Sequence, residues 1–156
     1  MKTDHTPVIQ NRSARYHYQV LDTFEVGVVL KGTEVKSIRA AKIVLSEAYV
    51  VVRNHEIFLM NAYVDEYAQG NIFNHLPRRE RKLLAHRHEI QKMEDATTLK
   101  GLTIIPLKAY FKGSVFKMEI GICKGKDARD KRQDKSKQEA KVEIARALRA
   151  AQKELR

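Results

Sequence analysis

The sequence predicts a mainly β, antiparallel fold with packed helices and a basic C-terminal tail, and three observations carry that expectation. Apolar residues recur at every second position from Tyr16 through Tyr18, Val20, Phe24, Val26, Val28 and Leu30. Two pairs of β-rich runs are each joined by a short turn-forming segment. At Lys124 the composition shifts to charge and alanine. With 156 residues the chain has room for one core plus an appendage.

The alternation from Tyr16 reads as one long half-buried strand, bent near Asp22, the position that breaks the period. Gly32-Thr33 supplies a turn and a cap, and Val35, Ile38 and Ala41 at helical spacing predict a short helix over Thr33–Ala41. Ala48–Arg53 and Ile57–Val64 are rich in Val, Ile, Phe and Tyr. The Asn54-His55 pair between them predicts a tight hairpin, since Asn tolerates positive φ. Asp65–Leu76 has no period and reads as a surface loop.

After Pro77, the residues Leu83, Leu84, Arg87, Ile90 and Met93 fit a helical stripe, with Arg78, Arg79, Arg81 and Lys82 crowding its first turns against the helix macrodipole. Leu102–Phe111 and Val115–Cys123 form a second hairpin through Lys112-Gly113-Ser114. Pro106 marks an edge position or a bulge. This gives about five strands in hairpins, two helices between them, and no βαβ rhythm.

The tail holds twelve Lys and Arg against six Asp and Glu, which is +6 of the chain's net +11. Ser136 and Glu139 make a capping box, and Ile144, Leu148, Ala151 and Leu155 follow at helical spacing. That apolar stripe is thin, so the segment is expected to be partly disordered alone and ordered by a partner.

A folded domain with so positive a field points to an anionic partner, nucleic acid before an acidic membrane. The single cysteine, Cys123, excludes an intramolecular disulfide and a cysteine metal site, and a reducing compartment is expected. Met1–Gln10 carries no apolar run of signal-peptide length, and no stretch has the length of a membrane span. The expected location is therefore cytoplasmic. Asn11-Arg12-Ser13 matches a glycosylation sequon only by chance.

No catalytic constellation emerges. Gly121-Ile122-Cys123-Lys124-Gly125-Lys126 has three residues between its glycines where a phosphate loop needs four, and Asp127 stands where Ser or Thr should bind magnesium. His86 and His88, two apart on the expected helix, fall on different faces and make no metal pair. Strand parity puts Cys123 on the side of Lys117 and Glu119, as an inert thiol. Glu25, Glu34, Glu47, Asp65 and Glu66 are scattered. No enzyme, cofactor or metal is expected. The tyrosines Tyr16, Tyr18, Tyr49, Tyr63, Tyr67 and Tyr110 lie among Arg12, Arg15, His17, Lys36, Arg39 and Lys42, a mixture that on a small barrel either stacks on bases and neutralises phosphates or fills the core.

Several collinear stretches carry a resemblance: Asn11–Tyr16 (NRSARY), Phe24–Gly27 (FEVG), Gly32–Ala40 (GTEVKSIRA), Leu45–Tyr49 (LSEAY), Arg81–Leu84 (RKLL), Ile120-Gly121 through Gly125-Lys126, and Asp130–Arg132 (DKR). Through them the chain resembles the small protein B family, the partners of transfer-messenger RNA in bacterial ribosome rescue. Ala41 replaces the family's usual glycine, His55 stands in its Asn-Gly turn, and Ala128-Arg129 precedes Asp130.

The resemblance implies an antiparallel, oligonucleotide-binding (OB-like) β-barrel of about six strands over residues 11–128. It implies a flexible segment 1–10, and a tail 129–156 that is disordered alone and helical on the ribosome. It also implies binding to the tRNA-like domain of transfer-messenger RNA (SsrA RNA), and delivery with elongation factor Tu and GTP to the decoding site and messenger channel of a stalled ribosome. The protein would act as a monomeric, non-enzymatic adaptor in trans-translation. Carried over by motif, the RNA-binding residues are Asn11, Arg12, Tyr18, Glu25, Lys36, Leu84, Lys124 and Lys126, and the ribosome-contacting tail residues are Asp130, Lys131, Arg132, Ile144, Ala145 and Arg146. Glu25 is as well suited to an internal salt bridge. On composition alone, a structural ribosomal or ribosome-assembly protein would fit equally.

Overall fold

A computed structural model describes residues 7–70, 72, 74–126 and 143–150. The chain divides into two compact units, Met1–Gly125 and Lys126–Arg156. In the first, strands β1 (Ile9–Gln10), β2 (Tyr18–Val28), β3 (Ile43–Val44), β4 (Tyr49–Arg53), β5 (Glu56–Met60), β6 (Tyr63–Val64), β7 (Arg81–Leu84), β8 (Thr103–Lys112) and β9 (Val115–Gly125) accompany helices α1 (Arg12–His17), α2 (Gly32–Arg39) and α3 (Arg87–Thr98).

The main sheet runs β1-β8-β4-β5-β7-β2-β9, and β8 also pairs with β9. That last pairing closes β8, β4, β5, β7, β2 and β9 into a six-stranded antiparallel ring, which removes the open edges of a flat sheet. β1 pairs with β8 at Lys108 and Ala109, and β3 pairs with β6 in a separate two-stranded ladder. Alternation fills the ring: Phe24, Val26, Ile57, Leu59, Leu83, Ile104, Met118 and Ile120 are buried in one cluster, joined by Ile38 from α2 and Met93 from α3.

The long strand, both hairpins and the Gly32 helix match the sequence reading, and so do the two irregularities. β2 shifts register between Val20 and Asp22, and β8 does so between Pro106 and Lys108. Asn54 and His55 both have positive φ, 53° and 60°, as a type I′ turn requires.

Elsewhere the structure corrects the reading. Tyr16 lies in α1, so the strand begins at Tyr18. Leu83 and Leu84 lie in β7, not in a helix. There Arg81 and Leu83 point inward while Lys82 and Leu84 point outward, and the segment is held between β5 and β2. The helical stripe begins only at Arg87. The run Ile57–Val64 breaks at Asn61, with φ 60°, and its end pairs with β3. Paired structure already starts at Ile9, inside the segment expected to be flexible.

β7 carries an unusual core group. Glu34 of α2 is fully buried and binds Arg81 Nε through Oε2 at 2.5 Å and Arg79 Nη2 through Oε1 at 2.5 Å. Arg81, 1% exposed, also donates to the carbonyls of Ala62, Arg79 and Pro77. Burial opposes the charged form of Glu34, but the hydrogen bond from Arg79, the Lys31 amide and Arg81 outweigh it and hold its pKa below the ordinary 4.5. Next to Thr33, the buried His75 ring bridges Thr33 Oγ1 and the Val64 carbonyl.

In the second unit residues 143–150 are helical, as the spacing predicts, with Ile144 and Leu148 61% and 62% exposed. The capping pair Ser136 and Glu139, the trio Asp130, Lys131 and Arg132, and the segment 1–6 lie outside the described residues.

Candidate nucleic-acid interface

The outer face of β2, β9 and β8 carries the charged groups Glu25, Lys108, Lys112, Lys117 and Glu119. Because Phe24 and Val26 turn inward, Glu25 and Gly27 turn outward. Register then aligns Glu25 with Glu119 and Gly27 with Lys117 on β9, and Lys117 with Tyr110 on β8. Tyr110 donates its hydroxyl to Glu25 Oε2, and Lys112 Nζ lies 3.0 Å from both carboxylate oxygens. The Tyr110 and Lys112 hydrogen bonds hold the pKa of Glu25 below its ordinary value. The same bond, with burial, pushes the Tyr110 phenol up to about 12. Lys108 sits 3.6 Å from Glu119 on this face.

Leu84 extends the face at the β7 side. It is 55% exposed, and a Cβ built on Gly27 would lie 3.6 Å from Leu84 Cβ, so the leucine stands beside a strand position that has no side chain. An exposed apolar side chain among cations is suited to the ribose or base of a strand whose phosphates the cations hold.

Further along the same three strands α1 lies over the barrel wall. Asn11 is its anchor: the amide Nδ2 donates to the carbonyls of Leu45 (3.1 Å) and Pro106 (2.8 Å), Oδ1 accepts from Ser13, and the backbone N–H binds Leu107. Its side chain is therefore engaged inside the fold, where the expectation was contact with bases and phosphates. Ala14, on the buried side of α1, packs on Ile105, Leu107 and Cys123, with Tyr18 half-buried against them. The parity reading of Cys123 thus holds, and α1 covers it. Burial pushes its thiol up to about 11, an unreactive value.

Arg12 is exposed and lines a cleft of about 250 Å3 with Arg15, Leu107, Lys108 and Glu119, which joins α1 to the charged face. A larger cleft of about 510 Å3 is lined by His17, Tyr18, Glu47 and Tyr49 among others.

Of the remaining expected residues, Lys124 is exposed on β9 opposite Gln19. Lys36 stands apart on α2, its ammonium 5.0 Å from the Tyr67 ring centroid. Lys126, Ile144, Ala145 and Arg146 belong to the second unit. Two participants escaped the motif reading, Tyr110 and Lys112. Their spacing of two on a strand put them on one face, but nothing local aimed that face at Glu25.

β9 continues through Gly125, so the glycine-lysine run opens no helix and forms no phosphate loop. His86 precedes α3 in extended conformation, ψ 148°, and its ring stacks on His88 with centroids 5.7 Å apart. The two-faces argument fails because only His88 is helical. Among the described residues no group of three or more His, Cys, Asp or Glu could hold a metal, and no helix is long and apolar enough to cross a membrane.

Comparison with known proteins gives a consistent result. The SmpB protein family matches residues 8–150. The chain is 51% identical over 142 residues to the SsrA-binding protein of Desulforudis audaxviator, covering 91% of this chain and 93% of that one. It is 49% identical over 147 residues to that of Acetivibrio thermocellus, covering 94% and 96%. A chain of the solved structure "tmRNA-SmpB: a journey to the center of the bacterial ribosome" superposes with a TM-score of 0.66 at 43% identity, over 79% of this chain and 87% of the other. With the family matched over residues 8–150 and relatives about half identical across nine-tenths of the chain, the chain belongs to the SmpB family.

Proposed function

We propose that the protein binds the tRNA-like domain of transfer-messenger RNA and delivers it to stalled ribosomes for trans-translation, standing in for the missing codon-anticodon duplex so that incomplete chains are tagged for proteolysis. The observation that supports this reading is its likeness to SsrA-binding proteins, about half identical across nine-tenths of both chains. The cation-lined outer face of the barrel supplies the phosphate contacts that such binding needs.

In this reading Arg12, Glu25, Leu84, Lys124 and Lys126 meet RNA, and Tyr18 presents its ring at the larger cleft. Lys36 contributes from α2, while Asn11 holds the loop that aims Arg12. Asp130, Lys131 and Arg132 contact ribosomal RNA, and Ile144, Ala145 and Arg146 belong to a helix that enters the empty messenger channel. The protein works in the cytoplasm as a monomeric, non-enzymatic adaptor, meeting elongation factor Tu and GTP through the RNA complex.

The test is affinity for the isolated tRNA-like domain against an ordinary tRNA, titrated from about 50 to 200 mM salt, where purely electrostatic binding falls steeply. Preference for the tRNA-like domain that survives the higher salt is the expected outcome. Equal affinities collapsing together would favour a ribosomal or ribosome-assembly protein with a general positive field.

A further inference from the structure

An exposed carboxylate on a face meant for a polyanion needs a reason. Glu25 of β2 stands among Lys117 of β9 and, one strand further on β8, Lys108 and Lys112. β9 runs between β2 and β8, so Tyr110 and Lys112 reach across a whole strand, roughly 10 Å of sheet, to meet Glu25. The row shared by Gly27, Lys117 and Tyr110 has no side chain at its β2 end.

Stability is a poor explanation for this construction. Ion pairs at the surface contribute little, and ordering a glutamate, a lysine and a tyrosine in one geometry costs side-chain entropy. A carboxylate offers about four lone-pair directions. The Tyr110 hydroxyl on Oε2 and Lys112 on Oε1 and Oε2 make three contacts, which leaves room for one more donor. Lys112 also offsets the repulsion that would otherwise keep phosphates away.

We propose that Tyr110 and Lys112 are positioning residues that hold the Glu25 carboxylate outward, with one acceptor direction open to an N–H or O–H donor of bound RNA. The assignment rests on the RNA-binding reading above. The Tyr110 phenol, pushed up to about 12, keeps its proton and remains a donor at any working pH.

The experiment is a double-mutant cycle in the full chain, with affinity for the tRNA-like domain and thermal midpoint as paired readouts. Tyr110→Phe and Glu25→Ala each weaken binding about tenfold, the scale of one hydrogen bond to a charged group. The double variant binds no more weakly than Glu25→Ala alone, and the midpoints move little. Tyr110→Phe keeps the ring and its packing, and an unchanged midpoint verifies the fold.

If Tyr110→Phe weakens binding equally with and without Glu25, the tyrosine touches RNA itself and the positioning role is overturned. Unchanged affinity in Tyr110→Phe overturns it too. Failure of the underlying RNA reading is seen separately, in the native chain's own lack of preference for the tRNA-like domain before any variant is made.

Discussion

Two carboxylates in this molecule are held in nearly the same way and stand in opposite places. Glu34 takes two arginines, Arg79 and Arg81, from 45 and 47 residues away, and is fully buried where α2 meets β7. Glu25 takes Tyr110 and Lys112 from 85 and 87 residues away, and its side chain keeps 38% exposure on the barrel's outer face. Both are drawn below the ordinary carboxylate pKa. The difference lies in what water does. Around Glu34 no solvent can replace a lost partner, so the group ties the fold together. Around Glu25 solvent can, so the network is free to serve a ligand.

The largest test of that contrast is Glu34→Ala. Removing the buried carboxylate leaves Arg81 uncompensated in the interior, a loss of about 3–5 kcal/mol where folded domains hold only about 5–15 kcal/mol in total. Urea unfolding should show the midpoint falling far for Glu34→Ala and scarcely for Glu25→Ala. Equal shifts in the two variants would end the distinction between a structural and a ligand-facing carboxylate.

Acid titration sharpens the contrast. Since the folded pKa of Glu34 lies below 4.5, the unfolded chain takes up that proton first as pH falls. The stability due to its ionised form is therefore complete above the unfolded value and is lost as pH drops through the folded one. The stability gap between the native chain and Glu34→Gln should hold steady from about pH 7 to 5 and shrink below about 4.5. A gap that widened on acidification would mean that Glu34 is protonated in the fold and paired in some other way.

The same two clusters show how much of the molecule was legible in the sequence. Local pattern gave β2, both hairpins, α2 and even the bends at Asp22 and Pro106, because period two and turn chemistry are written within a few residues. β7 is not legible locally because four residues are too few to show a period, and its inward-facing Arg81 looks like surface until Glu34 is known to meet it. The interface was legible as residue types, the basic and aromatic side chains, but not as a face. Which of them stand together depends on β8 closing against β9 and β9 against β2, and that register is fixed only by the finished barrel. α1 departs from the local pattern for a related reason. Tyr16 continues the alternation on paper, while Ala14 is needed as a lid over Cys123.

The smallest expected effect concerns the end of the helix that carries Glu34. The Ala41 N–H binds the Ile38 carbonyl at 2.9 Å and the Lys42 N–H binds the Ser37 carbonyl at 3.0 Å, the paired bonds of a Schellman motif. That motif puts Ala41 at φ 59°, where an L side chain crowds its own carbonyl and glycine does not. Ala41→Gly relieves this crowding, although glycine gives the unfolded chain more freedom to lose, so the net gain should be about 0.5–1 kcal/mol. Because α2 positions Glu34 and not Glu25, the gain should appear as a higher unfolding midpoint with RNA affinity unchanged. A destabilised Ala41→Gly would mean that the unfolded-state cost outweighs the left-handed strain at this helix end. A change in RNA affinity would mean instead that the buried carboxylate and the exposed one are coupled through the barrel wall.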